Sequence, residues 1–128
     1  MSTPALPPIE VVGFATSASF EAQTVRVTMT GTADIRAVDS LERFMPELHT
    51  QTLLAKASEV VVDLVALEFM NSSCFKSLVA WIAQLREVEP DQRYRVTILS
   101  STAQRWQRRS LHALSSFAPE LVTVEIPT

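Results

Sequence analysis

The sequence predicts an α/β fold, a single domain with a mixed, mainly parallel sheet of roughly four to five strands and crossover helices. Three observations carry this. Segments such as Thr24 to Thr30 alternate apolar and polar residues with period two, the mark of a half-buried strand. Stretches of helical length, with apolar residues three and four apart, separate the strand-like segments. The chain has 128 residues, 47% hydrophobic and 20% charged, enough for one core.

Taken in order, Met1 to Pro8 holds three prolines and no periodicity, and reads as a flexible lead-in to a domain spanning residues 9–128. Ile9 to Phe14 is a short strand, and the small, polar Ala15 to Ala22 is a hairpin connection. Val25, Val27 and Met29 mark the buried face of the next strand, which Gly31 ends. Asp34 caps a helical stretch from Ile35 to Ala57, with Val38, Leu41, Met45 and Leu48 facing the core. Pro46 removes a backbone donor there, so a kink or a break into two helices is expected. Glu59 to Val65 is nearly all apolar, as in a central strand covered on both sides. A helix from Ser72 to Val88, a strand from Arg95 to Ser100, a helix from Thr102 to Phe117 and a strand from Leu121 to Ile126 complete the order β-β-α-β-α-β-α-β. The first strand is expected as an antiparallel edge.

Composition excludes several functions. The longest apolar runs, Val60-Val61-Val62 and Leu78 to Ala83, fall far short of the ~20 residues of a membrane helix. The first eight residues lack the basic and apolar regions of a secretory signal, so a cytoplasmic, reducing location is expected. One cysteine and two histidines leave no internal disulfide and little material for a metal site, and no glycine-rich loop cradles a phosphate. Neither metal nor cofactor is expected. A net charge of −3 gives no global attraction to nucleic acid.

The most informative stretch runs from Glu59 to Leu78: a buried strand, a short turn and a helix start. Asn71 is a good N-cap, with Ser72, Ser73 and Cys74 as the first turn, and Met70 and Phe75 are spaced for a hydrophobic staple. From the local pattern, serines at such a start serve first of all to open the helix; the other reading is a phosphate on one of them, which would meet unpaired N–H groups and the positive end of the helix dipole. Cys74 reads either as a small apolar residue under the helix or as a thiol activated by the dipole.

Val61-Val62-Asp63-Leu64, followed by Leu67-Glu68-Phe69-Met70-Asn71-Ser72-Ser73, resembles the central segment of STAS domains, the anti-sigma-factor-antagonist family. There a strand is followed by Phe-Met-Asp-Ser-Ser-Gly at the start of a helix; here Asn71 stands for the aspartate and Cys74 for the glycine. Gly31-Thr32-Ala33-Asp34 is similar to the family's Gly-Glu-Leu-Asp turn, and the likeness spans about Ile9 to Ile126. The resemblance implies a non-enzymatic partner-switching regulator. Ser72 matches the serine phosphorylated by a kinase that doubles as an anti-sigma factor, Ser73 is the second choice, and a metal-dependent serine phosphatase reverses the reaction. Asp34, Asn71, Ser72, Ser73 and Cys74 would form the partner surface. The alternatives are a degenerate STAS-like scaffold or assembly subunit that is never phosphorylated, and a redox sensor built on Cys74.

Elsewhere, Arg105, Arg108, Arg109 and His112 form one basic stripe at helical spacing, either solvated surface or a contact for an acidic partner or phosphates. Trp81 and Trp106 are assigned to core or half-core and His49 to the surface.

Overall fold

In the strand Thr24–Ala33, Val25, Val27 and Met29 are fully buried while Arg26 is exposed, so the alternation read from sequence sets which face of this strand points inward. The computed structural model describes residues 6–127. The elements are β1 (Glu10–Val11), β2 (Phe14–Glu21), β3 (Thr24–Ala33), α1 (Val38–Leu54), β4 (Glu59–Asp63), β5 (Leu67–Met70), α2 (Ser72–Arg86), β6 (Arg95–Leu99), α3 (Arg105–Phe117) and β7 (Val122–Glu125). Single 3-10 turns at Ile35–Ala37 and Pro90–Gln92 precede α1 and β6. Most of the lead-in, Met1 to Ala5, lies outside the described residues; Leu6 already packs against the core, so packing starts ahead of Ile9.

Among the described residues the sheet has seven strands, in the order β1-β2-β3-β4-β6-β7, with β5 also paired to β3. The pairs β3–β4, β3–β5, β4–β6 and β6–β7 are parallel, and β1–β2 and β2–β3 antiparallel. The mixed, mainly parallel sheet is as expected, with the first strand an antiparallel edge, but it holds more strands. Ala15 to Ala22 is not a connection: it supplies β2, paired with β3 from Phe14↔Gly31 to Glu21↔Thr24. Its turn is the pair Ala22 and Gln23, both at positive φ (52° and 67°), the geometry of a type I′ hairpin built without Asn-Gly. Glu59 to Val65 ends as a strand at Asp63, and Leu67–Met70 forms a separate one.

Register aligns two sets of side chains across the parallel strands. Val25, Val60, Val96 and Val122 are neighbours, all buried, as are Val27, Val62 and Ile98 in the next inward row. The opposite face carries Arg26, Val61, Thr97 and Thr123, each exposed or half-exposed. β4 is therefore central but not apolar on both sides. Each of α1, α2 and α3 leads one step further along β3-β4-β6-β7, and right-handed crossovers that always move the same way put helices on the same face. The open face is polar: Arg26 Nη2 pairs with Asp63 Oδ2 at 2.8 Å, and Thr97 donates to Glu59 Oε2 at 2.6 Å.

Pro46 sits inside one uninterrupted α1 rather than between two helices. Its side chain is exposed, so its ring is accommodated on the outer face of the helix. Gly31, expected to end β3, lies inside it at φ +90°, where pairing passes from β4 to β5 with a register shift. A Cβ there would run into the Gly13 carbonyl oxygen, which itself accepts from the Thr32 N–H at 2.7 Å.

His49 is not on the surface. It belongs to the buried face of α1, with Nδ1 2.8 Å from the Tyr94 hydroxyl, to which Trp81 Nε1 donates at 2.7 Å. The arrangement that uses every hydrogen has Tyr94 donating to an unprotonated Nδ1. Burial pushes the His49 pKa below its ordinary 6.5 and the Tyr94 pKa well above its usual value.

Two outcomes follow. Gly31→Ala forces both a left-handed alanine and a backbone collision, and should cost at least about 2 kcal/mol in urea unfolding. His49, neutral in the fold and protonated in the unfolded chain, contributes stability that is complete above pH 6.5 and is lost as acid takes the pH down through the lower folded value. The loss is at most about 1.4 kcal/mol per pH unit, and melting curves should show this increment in wild type but not in His49→Gln.

Candidate functional site

The site is built where two strand ends meet. β5 runs parallel to the last residues of β3, with Thr32↔Phe69 and Ala33↔Met70 in register. The Asn71 N–H donates to the Ala33 carbonyl at 2.9 Å, which locks the start of α2 beside the turn that follows β3. Asn71 is the N-cap, its Oδ1 accepting from the Cys74 N–H at 2.8 Å, and the Phe75 N–H donates to the Asn71 carbonyl at 3.0 Å. That leaves the N–H groups of Ser72 and Ser73 without a backbone partner among the described residues, and both serines are exposed.

Asp34 caps the 3-10 turn, accepting from the Arg36 N–H at 2.9 Å, while the Arg36 guanidinium grips the same carboxylate with Nη2 2.6 Å from Oδ2. The guanidinium and the Arg36 N–H hold the Asp34 pKa below its usual value, so the carboxylate stays ionised.

Asp34, Asn71, Ser72 and Ser73 thus come together at one end of the sheet. Cys74 departs from its expected place on the surface: it is 0% exposed, and its Sγ lies 3.4 Å from the Asp34 carbonyl. It turns inward because the third position of the first turn faces the core next to Leu78, and it supports the site from beneath. Burial and the nearby Asp34 carboxylate push its thiol pKa up, opposite to what an activated thiolate requires.

The two elements joined to this helix start each expose a large apolar residue that no motif marks. Ile35 is 79% exposed and Phe69 45% exposed, on the turn after β3 and on β5. Exposed large apolar side chains beside a polar helix start are the composition of a contact surface. A shallow groove of about 420 Å³ between α1 and α2, lined by Glu42, Pro46 and Lys76, opens beside Ser73.

No protein-family model matches this sequence, and no curated protein matches it significantly. Among solved structures, an anti-sigma factor antagonist from Mycobacterium paratuberculosis is similar, with a TM-score of 0.64 at 17% identity over 90% of this chain and 86% of that one. The fold is that of the anti-sigma factor antagonists. The Bacillus cell fate determinant SpoIIAA in its phosphorylated form gives a TM-score of 0.55 at 15% identity, over 86% of this chain and 90% of that one. The anti-sigma factor antagonist SpoIIAA in its unphosphorylated form gives 0.54 at 16% identity, over 86% and 87%. The STAS fold expected from the motif is thus observed. No helix among the described residues is long and apolar enough to cross a membrane, and none of their His, Cys, Asp and Glu side chains cluster as a metal site.

Within this fold α3 grips the turn that feeds the site. Gln107, buried, donates from Nε2 to the carbonyls of Leu64 (2.6 Å) and Leu67 (3.1 Å) and accepts the Ser101 N–H at 2.8 Å. Trp106 Nε1 also donates to Leu67, at 3.0 Å. The spacing Gln107, Leu111, Leu114, Ala118 is a buried helical stripe and could have revealed Gln107 from sequence.

Because Asn71 caps α2 through its side chain, Asn71→Ala should lower stability by about 1 kcal/mol, whereas Asn71→Asp keeps the acceptor, adds a charge that suits the dipole and should match wild type or exceed it in urea unfolding.

Proposed function

We propose that the chain is a non-enzymatic cytoplasmic regulator of the anti-sigma-factor-antagonist type. It binds a kinase-like partner through the surface of Asp34, Asn71, Ser72 and Ser73, and phosphorylation of Ser72, with Ser73 as second choice, releases that partner. One observation carries the reading: two exposed hydroxyls at the open start of α2, with exposed Ile35 and Phe69 on the elements joined to it, on the fold of anti-sigma factor antagonists.

The chemistry is consistent. A phosphate adds about −1.5 to −2 charges. The unpaired N–H groups and the dipole of α2 accept that charge, so the domain stays folded. A partner resting on Ile35 and Phe69 meets a dense anion beside an already ionised Asp34. The modification therefore acts on association. That SpoIIAA resembles this chain about equally in its phosphorylated and unphosphorylated forms supports a switch that leaves the fold intact. The partner would be a serine kinase that also sequesters a transcription factor, with a serine phosphatase restoring the free hydroxyl.

The test is incubation with ATP and a kinase-like anti-sigma factor, phosphosite mapping by mass spectrometry, and titration of binding. Phosphate is expected on Ser72; Ser72→Ala should bind as wild type, and Ser72→Asp at least about tenfold more weakly. Wild-type affinity in Ser72→Asp would sink the charge switch. Combined with loss of binding in Phe69→Ser, it would point to an unphosphorylated assembly role instead.

A further inference from the structure

Helix α3 carries charge that its own fold does not use. Arg105, Arg108 and Arg109 fall in its first two turns, His112 follows one turn later, and the helix contains no acid. Cations there face the positive end of the helix dipole, and Gln104 offers no side-chain cap. Among the described residues none of the three arginine side chains makes an ion pair or a hydrogen bond. The chain has 14 acids against 11 Lys and Arg, so acids were not in short supply.

Arg105, Arg108 and His112 rim a groove of about 1080 Å³ between α3 and β7. Leu111, Val122 and Val124 form the apolar part of its floor, Ser100, Ser115 and Ser116 add hydroxyls to the lining, and it continues onto Ile126, which is 58% exposed. Among the described residues β7 is an edge of the sheet, paired only with β6. The carbonyls of Leu121 and Glu125 accept from the N–H groups of Val96 and Ser100, so by alternation along the strand Val124 turns its N–H and C=O outward.

We propose that this groove docks an extended acidic segment of a partner polypeptide, which adds as a strand to β7 with its carboxylates under Arg105, Arg108 and His112. The open edge supplies main-chain hydrogen bonds, the floor takes apolar side chains, and the stripe selects for acids. The spacings agree: Arg108 and His112 are about 6 Å apart along the helix axis, and alternate residues of a strand about 6.6 Å. A second copy of this chain fits poorly, because edge-to-edge pairing about a two-fold axis would bring the two basic stripes together. The apolar floor and open strand edge favour a polypeptide over a nucleic acid backbone. The surface is separate from the serines of α2, so the inference stands independently of the switch.

The probe is a synthetic peptide of roughly eight residues, an ordinary strand length, alternating valine and glutamate, titrated into the full chain. Binding is expected to protect the Val124 amide from hydrogen exchange and to weaken with salt. It should fall at least about tenfold when glutamine replaces glutamate in the peptide, or in the double variant Arg105→Glu/Arg108→Glu. Both arginines are exposed, and an unchanged melting curve checks that the variant is folded. A second variant, Val124→Pro, removes an outward N–H without breaking the β6 ladder and should block binding by itself. No binding at about 1 mM peptide, or undiminished binding to the charge-reversed variant, would overturn the proposal. So would Val124 protection through self-association without peptide, or tighter binding of a DNA duplex through the same arginines.

Discussion

One strand, β3, serves two parallel neighbours in succession on the same side, and the site depends on this. Its first half pairs with β4 and its last residues with β5, which the chain reaches after only the turn at Leu64 to Ala66. That hand-over needs a register shift at Gly31, a residue free of side-chain conflict with Gly13. It yields a fixed junction in which Ala33 accepts from Asn71 and Asp34 from Cys74. A helix start is thereby joined to a strand-end turn by main-chain and buried contacts alone. The outward side chains, Ser72, Ser73, Ile35 and Phe69, are left to vary in chemistry without cost to the fold.

The second constraint is the monotonic order of the parallel strands. It gathers the helices on one face and leaves a polar face of Arg26, Asp63, Glu59 and Thr97, linked in pairs across strands. With one face covered, stability concentrates in a single core, and the polar anchors inside it matter more. Gln107 gives both amide hydrogens and its carbonyl oxygen to main-chain groups of Leu64, Leu67 and Ser101, at the β4–β5 turn, the start of β5 and the β6–α3 connection. Loss of this side chain leaves the Ser101 N–H without its acceptor, while the Leu64 carbonyl keeps the Leu67 N–H and the Leu67 carbonyl keeps Trp106 Nε1.

Much of this was legible in the residues. Val25, Val27 and Met29 gave the inward face of β3, and Asn71 and Asp34 were both found as caps. What escaped has specific causes. β2 is rich in Ala, Ser and Thr and is held by pairing with β3, and its turn, Ala22-Gln23, lacks the Asn-Gly or Asp-Gly that usually announces a type I′ hairpin. β5 has the burial pattern in-out-out-in, which has no strand period. His49 lies four residues after Met45 on the same helical stripe, so its burial was readable, but Tyr94 lies 45 residues away and only the fold brings it near. Ile35 and Phe69 were invisible as surface because apolar residues in a strand and a helix lead-in are ordinarily assigned inward.

The burial of Cys74 makes the protein's lone thiol a clock for its own site. The sulfur is fully covered and rests against the Asp34 carbonyl, so an alkylating reagent reaches it when that cover opens, as when the first turn of α2 lifts away. The rate of labelling under native conditions therefore counts how often that junction breathes, and a partner seated over the serines would slow it without touching the sulfur.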